Sequence, residues 1–156
     1  MEEAWKTALT RAIREVFENL CFMMPAPRAT VPPEPKSLSR VVLAVDIHGA
    51  GQGSLHLILP EAMVAPIAAS MLGDDEPLSL AEQYDAACEL ANIVCGNVLP
   101  LVAGERAVFD LSPPRVIATM DPGLDVGSDA RVAVLLDEGL VCASLHLRLA
   151  ERQGAA

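Results

Sequence analysis

Two runs of strict alternation flank the pentapeptide GAGQG. Val41, Leu43, Val45 and Ile47 come before it, and Leu55, Leu57 and Leu59 come after it. A period of two puts each set on one side of an extended strand, so the segment reads as a β-hairpin with a single apolar face, ended by Pro60. This feature constrains the fold most, because a one-faced sheet has to be covered by something with a matching apolar stripe. In the simplest register Asp46 lies opposite His56, with His48 on the same face. That trio reads as a cross-strand polar set on a solvated sheet face rather than a zinc or nickel site. The glycine-rich turn leads into a strand, whereas a phosphate cradle would open a helix.

Suitable covers exist. Residues 4–22, AWKTALTRAIREVFENLCF, place Trp5, Leu9, Ile13, Val16, Phe17 and Leu20 at helical spacing. The next stretch, MPAPRATVPPEPKSLSR, holds too many prolines to continue a helix and reads as an extended connector. EAMVAPIAASMLG is a short helix closed by Gly73, with Pro66 inside it. Ser79 and Glu82 have the spacing of a capping box, opening a long helix to about Val102. Alternation returns in RVIATM, RVAVLL and LVCASLHLRL. The expected order is α-ββ-α-α-β(ββ), an α+β fold with a largely antiparallel sheet packed against helices, in one domain over 1–156. RVVLAVD with SLHL at Ser54 is echoed by RVAVLLD with SLHL at Ser144, which leaves an internal duplication open. The long last strand would invite pairing as a free edge, so a homodimer sharing its sheet is expected.

Composition excludes several function classes. Aromatic residues make up only 3%, so the core must be aliphatic with Met filling gaps. A formal charge of −10 and the lack of a basic stripe argue against nucleic acid as a partner. The acidic start MEEAW lacks a signal peptide's basic region, and charges and Pro66 interrupt the apolar runs. A cytoplasmic protein without membrane insertion is expected. Cys21, Cys88, Cys95 and Cys142 form no CxxC pair, and Cys88 and Cys95 read as reduced, buried core residues. No serine nucleophile motif and no complete calcium loop occurs.

The long helix is unusual on the side that has no core to bury. With Ala91 at the centre of the buried side, Tyr84, Ala87, Cys88, Val94, Cys95, Val98 and Val102 fall around it. Glu82, Asp85, Glu89, Asn92 and Gly96 line the opposite side. A merely solvated face usually carries Lys and Arg in i, i+4 pairs with acids. This one has no cation, and it has a mid-helix glycine that costs about 1 kcal/mol relative to alanine. Pro100, four residues on, crowds the Gly96 carbonyl, so Gly96 either relieves that strain or leaves bare backbone for a partner to approach.

ELANIVCGN, Glu89 to Asn97, resembles the E-x-x-N-x-x-x-G-N signature of the CheC/CheX family of phosphatases acting on phosphorylated CheY. EVFENLCFM, GSLHLILPEAMVAPIAASMLGDD and LSPPRVIA resemble family segments in the same order. The resemblance implies a CheX-like fold with one motif copy, since Glu15 and Glu18 in REVFEN lack an Asn at the fourth place. It implies a phosphorylated CheY-type response regulator as partner, with Asn92 holding a water in line with the phosphorus and Glu89 pairing with a regulator lysine. Asp85, Ile93, Gly96 and Asn97 would complete the docking surface. No cofactor of its own is implied, and Mg²⁺ would belong to the partner receiver domain. A non-catalytic adaptor for a receiver domain or flagellar switch, using the same face, is the alternative.

Overall fold

The computed structural model describes residues 2–25, 39–73, 75–120 and 129–150. The acidic loop and most of the proline-rich connector lie outside the described residues. Helix α1 is Glu2–Cys21, followed by strands β1 (Arg40–Gly49) and β2 (Gly51–Pro60). A 3-10 turn, Glu61–Met63, leads into α2 (Val64–Leu72), and α3 is Leu80–Ala103. Strands β3 (Phe109–Leu111), β4 (Arg115–Met120), β5 (Ala130–Leu136) and β6 (Gly139–Leu149) complete the order. Pro66 is tolerated because it falls in the first turn of α2, where its missing N–H would have no partner within the helix. The helix stops at Gly73, whose φ of 86° suits glycine and whose N–H donates to the Ala69 carbonyl.

All the strand pairs are antiparallel, in the order β3-β1-β2-β6-β5, with β4 alongside β1 next to β3. One face is apolar, as the alternation requires: Val41, Leu43, Val45, Ile47, Leu55, Leu57 and Leu59 are all fully buried. They join one core with Leu9, Ile13 and Phe17 of α1, Ile67 of α2, and Leu90 and Val94 of α3. Fully burying such a side chain contributes roughly 1.5–3 kcal/mol, so this layer dominates the stability of the fold. Ser70 Oγ donates to the Cys21 carbonyl and ties α2 to the end of α1.

Three expectations are corrected. The hairpin register is two residues tighter than the simplest one: Asp46 faces Ser54, and His56 faces Ala44. The cause is the tip, where Gly49 at φ 99° lets the chain reverse around Ala50. A two-residue shift keeps every side chain on its face. Asp46 instead takes a bidentate bond from Arg115 of β4, at 2.8 and 3.4 Å. His48 bonds Gln52 and Ser112, and no group of three or more His, Cys, Asp or Glu able to hold a metal occurs among the described residues.

Second, β6 is not an outer strand. It pairs with β2 on one side and β5 on the other, so its long apolar face gives no argument for a shared-sheet dimer. Close approach of β2 and β6 requires Gly53, where a Cβ would sit on the His146 carbonyl. The Leu136 end of the β5 edge is covered by Pro25, and Asp137 N–H donates to the Met24 carbonyl. Third, a short β3 precedes RVIATM, too brief to show a period of two.

The echo between the halves has a structural counterpart. Leu55 and Leu145, second residues of the two SLHL copies, are paired directly. A pseudo-twofold axis therefore passes through that pair and relates the β1–β2 hairpin to β5–β6. Helix α1 packs on β5 while α3 packs on β1, as such an axis requires.

Two outcomes are expected. Ser79→Ala removes the cap on α3 and lowers stability by about 1 kcal/mol in urea denaturation. His56 is held below its ordinary value of 6.5, first by burial and then by Arg115, with Asp46 opposing. Its protonation therefore opposes folding: the penalty is absent well above pH 6.5 and grows as pH falls through 6.5 towards the folded value. His56→Gln should flatten the loss of stability between pH 7 and 5 in parallel denaturation series.

Candidate functional site

The site rests on α3. Ser79 Oγ accepts from Glu82 N–H at 3.1 Å, and the Glu82 carboxylate accepts from Ser79 N–H at 3.1 Å. The Ser79 backbone bond, then its side chain, hold Glu82 below the usual carboxylate value. Glu82 is thus used in starting the helix. Beyond it, Tyr84 OH donates to Glu61 at 3.1 Å and fixes α3 against the start of the α2 segment.

The buried side of α3 is Ala86, Ala87, Leu90, Ala91, Val94, Cys95, Val98 and Leu99. The expected arc is rotated slightly: Ala86, Leu90 and Leu99 join it, while Tyr84, Cys88 and Val102 are only half-buried. The helix is flanked by both α1 and α2 as well as the sheet, which widens the buried side. Burial pushes the Cys95 thiol up to about 12 and the Cys21 thiol up to about 11, so both stay protonated. Cys88 and Cys142 are half-buried rather than buried, and all four cysteines are free. By hydropathy α3 is long and apolar enough to cross a bilayer, contrary to the expectation from its interruptions. In this fold its apolar side is taken up by the core.

The opposite side carries the predicted residues in one line. Asp85, Glu89, Gly96 and Asn97 are exposed, and Asn92 is half-buried. Among the described residues, neither Glu89 nor Asn92 has a side-chain hydrogen-bond or ion-pair partner, and no cation lies on the stripe. One turn apart, they present a free carboxylate beside a free carboxamide that can both donate and accept. Ile93 is partly buried against the core, so only part of it remains for a partner. The stripe continues to exposed Pro100. The helix runs through Pro100, whose carbonyl accepts from Gly104 N–H at 3.0 Å. A Cβ at Gly96 would meet nothing within 4 Å, so packing does not require glycine there.

An antiparallel sheet under helices, with one long helix displaying a Glu-x-x-Asn stripe, defines a CheC/CheX-type fold. The family described as chemotaxis phosphatase CheX matches residues 41–136, and the chain belongs to it. The CheX of Desulfovibrio desulfuricans is 19% identical, over 92% of this chain and 99% of that one, with a TM-score of 0.70. The CheX of Vibrio vulnificus is 17% identical, over 92% and 96%, with a TM-score of 0.67. The CheX of Borrelia burgdorferi, solved in a complex with CheY, BeF₃ and Mg²⁺, is 19% identical, over 91% and 96%, with a TM-score of 0.62. No curated protein matches the chain.

Gly96→Ala separates the two readings of the glycine. If nothing in the chain needs it, the variant gains about 1 kcal/mol in urea denaturation, because alanine is the better helix former. A loss of stability would assign Gly96 to relief of the Pro100 strain.

Proposed function

We propose that this chain hydrolyses the aspartyl phosphate of a CheY-type response regulator, ending a chemotaxis or two-component signal. The observation that carries the reading is the free Glu89–Asn92 pair, held outward on a helix whose other side is locked in the core. Membership of the CheX family and the likeness to a CheX solved with CheY support it.

In this reading α3 lies across the receiver's active site. The Asn92 carboxamide holds a water in line with the phosphorus. The water oxygen forms the new P–O bond as the bond to the receiver's aspartate breaks. The bonding pair leaves with the carboxylate, inorganic phosphate is released, and the water's proton passes to the phosphate or solvent. An acyl phosphate is already activated, so the chain needs neither a nucleophile nor a shifted base, and its contribution is positioning and electrostatics. Glu89 pairs with a receiver lysine and sets the register of docking. Asp85 adds to the attraction, while Gly96 and the exposed part of Ile93 let the receiver backbone come close, with Asn97 at the margin. Mg²⁺ belongs to the receiver. The reading also carries a homodimer; among the described strands, the sheet ends at β5 on one side and at β3 with β4 on the other.

The test is the decay of a phosphorylated CheY-type receiver in Mg²⁺, with and without the protein. Acceleration by the native chain should fall on the order of 10²-fold in Asn92→Ala, with receiver binding retained. Glu89→Ala should weaken docking and turnover together. Binding without acceleration, across several receivers, would replace hydrolysis by the adaptor reading.

A further inference from the structure

Each of the three α-helices is followed by a residue at positive φ. After α2 and α3 it is a glycine, Gly73 at 86° and Gly104 at 87°, but after α1 it is Phe22 at 56°. Among the described residues Phe22 is the only one at positive φ that is not glycine. A bulky side chain is strained there, and glycine would make the same turn without that strain. The core does not call for the ring either. Phe22 is 71% exposed, although Cys21 and Met23 on either side of it are buried.

Two hydrogen bonds gather further exposed apolar side chains around this turn. Ser70 Oγ donates to the Cys21 carbonyl at 3.2 Å, which brings up the end of α2, where Leu72 is 56% exposed. Asp137 N–H donates to the carbonyl of Met24, itself 47% exposed, and so adds the β5–β6 turn. The surroundings are negative. Helices α1 and α2 both end here, and neither has a basic residue in its last turn to offset the partial negative charge of its carbonyl end. Glu18, one turn before Phe22, and Asp137 and Glu138 are exposed and have no ion-pair partner among the described residues. An apolar side chain held out at a strained turn serves neither folding nor solubility, and a cluster of them marks a contact surface.

We propose that the junction of α1, α2 and the β5–β6 turn is a docking surface for a basic amphipathic helix of another protein. The apolar side of that helix rests on Phe22, Met24 and Leu72, and its Lys or Arg residues meet Glu18, Asp137 and Glu138. A rigid ring beside flexible Met and Leu side chains suits the anchors of such a helix. An added strand does not fit, because Pro25 bridges Leu136 and closes the β5 edge at this point. A second copy does not fit, because an isologous contact would set the same carboxylates and helix ends against each other. Anionic lipid headgroups would be repelled by the same charges. The surface shares no residue with the Glu89–Asn92 face and is independent of the reaction proposed there.

The probe is a synthetic helical peptide with Leu on one side and Lys on the other, titrated into the full chain by calorimetry and amide NMR. The same peptide with Glu in place of Lys is the control. The Lys peptide should bind and shift residues 18–24, 70–72 and 137–138, and the Glu peptide should not. Phe22→Gly should weaken binding about tenfold, yet raise the melting temperature of the free protein because the strain is gone. Glu18→Gln combined with Asp137→Asn should weaken binding at low salt and flatten its salt dependence. Asn92→Ala should bind the peptide as the native chain does. Absence of binding, equal binding of the Glu peptide, shifts centred on residues 85–97, or unchanged affinity in Phe22→Gly would overturn the proposal. So would a lower melting temperature in Phe22→Gly, which would give the ring to the fold, or loss of self-association in that variant, which would give the surface to a second copy.

Discussion

The apolar face of the antiparallel sheet governs the rest of the structure. It cannot face water, and α1, α2 and α3 together cover it. For α3 this leaves almost no freedom of rotation. Turning it by one residue, about 100°, would withdraw Leu90 or Val94 from the core at roughly 1.5–3 kcal/mol each. It would also push Glu89 or Asn92 towards the apolar layer, where an unpaired carboxylate costs several kcal/mol. The outward direction of the Glu-x-x-Asn stripe is therefore a consequence of the core. The stripe contributes little to stability itself, so its side chains are free to be chosen for a partner.

Local periodicity made the elements legible, and non-local pairing hid their arrangement. Val41 to Ile47 and Leu55 to Leu59 announce strands because alternate positions meet the same layer. Ser79 and Glu82 announce the start of α3 because a capping box is complete within four residues. The hairpin register was not readable, since it depends on how tightly Gly49 lets the chain turn. The central place of β6 was hidden for another reason. An apolar alternation reads the same whether a strand has one neighbour or two. For the candidate site, the polar side of α3 could be identified from spacing alone. That Gly96 has empty space beyond it shows only in the folded chain.

The pseudo-twofold axis shows why a doubled scaffold carries a single candidate site. Residues 12–21 of α1 match 86–95 of α3 in burial: Ala12, Ile13, Val16, Phe17 and Cys21 correspond to Ala86, Ala87, Leu90, Ala91 and Cys95. Both long helices hence have a face that the core obliges to point outward. On α1 that face holds Glu15 where α3 has Glu89 and Glu18 where it has Asn92, while the counterpart of Gly96 is Phe22, which lies just past the end of α1 at φ 56°. Glu15 is already engaged by Arg11 at 3.0 Å. Glu18, when ionised, can only accept hydrogen bonds and repels an anion, whereas a carboxamide can also donate to one. Phe22 is 71% exposed and would hold a partner's backbone away from the helix. Packing kept the two halves alike, while three surface positions that packing does not constrain made them chemically different.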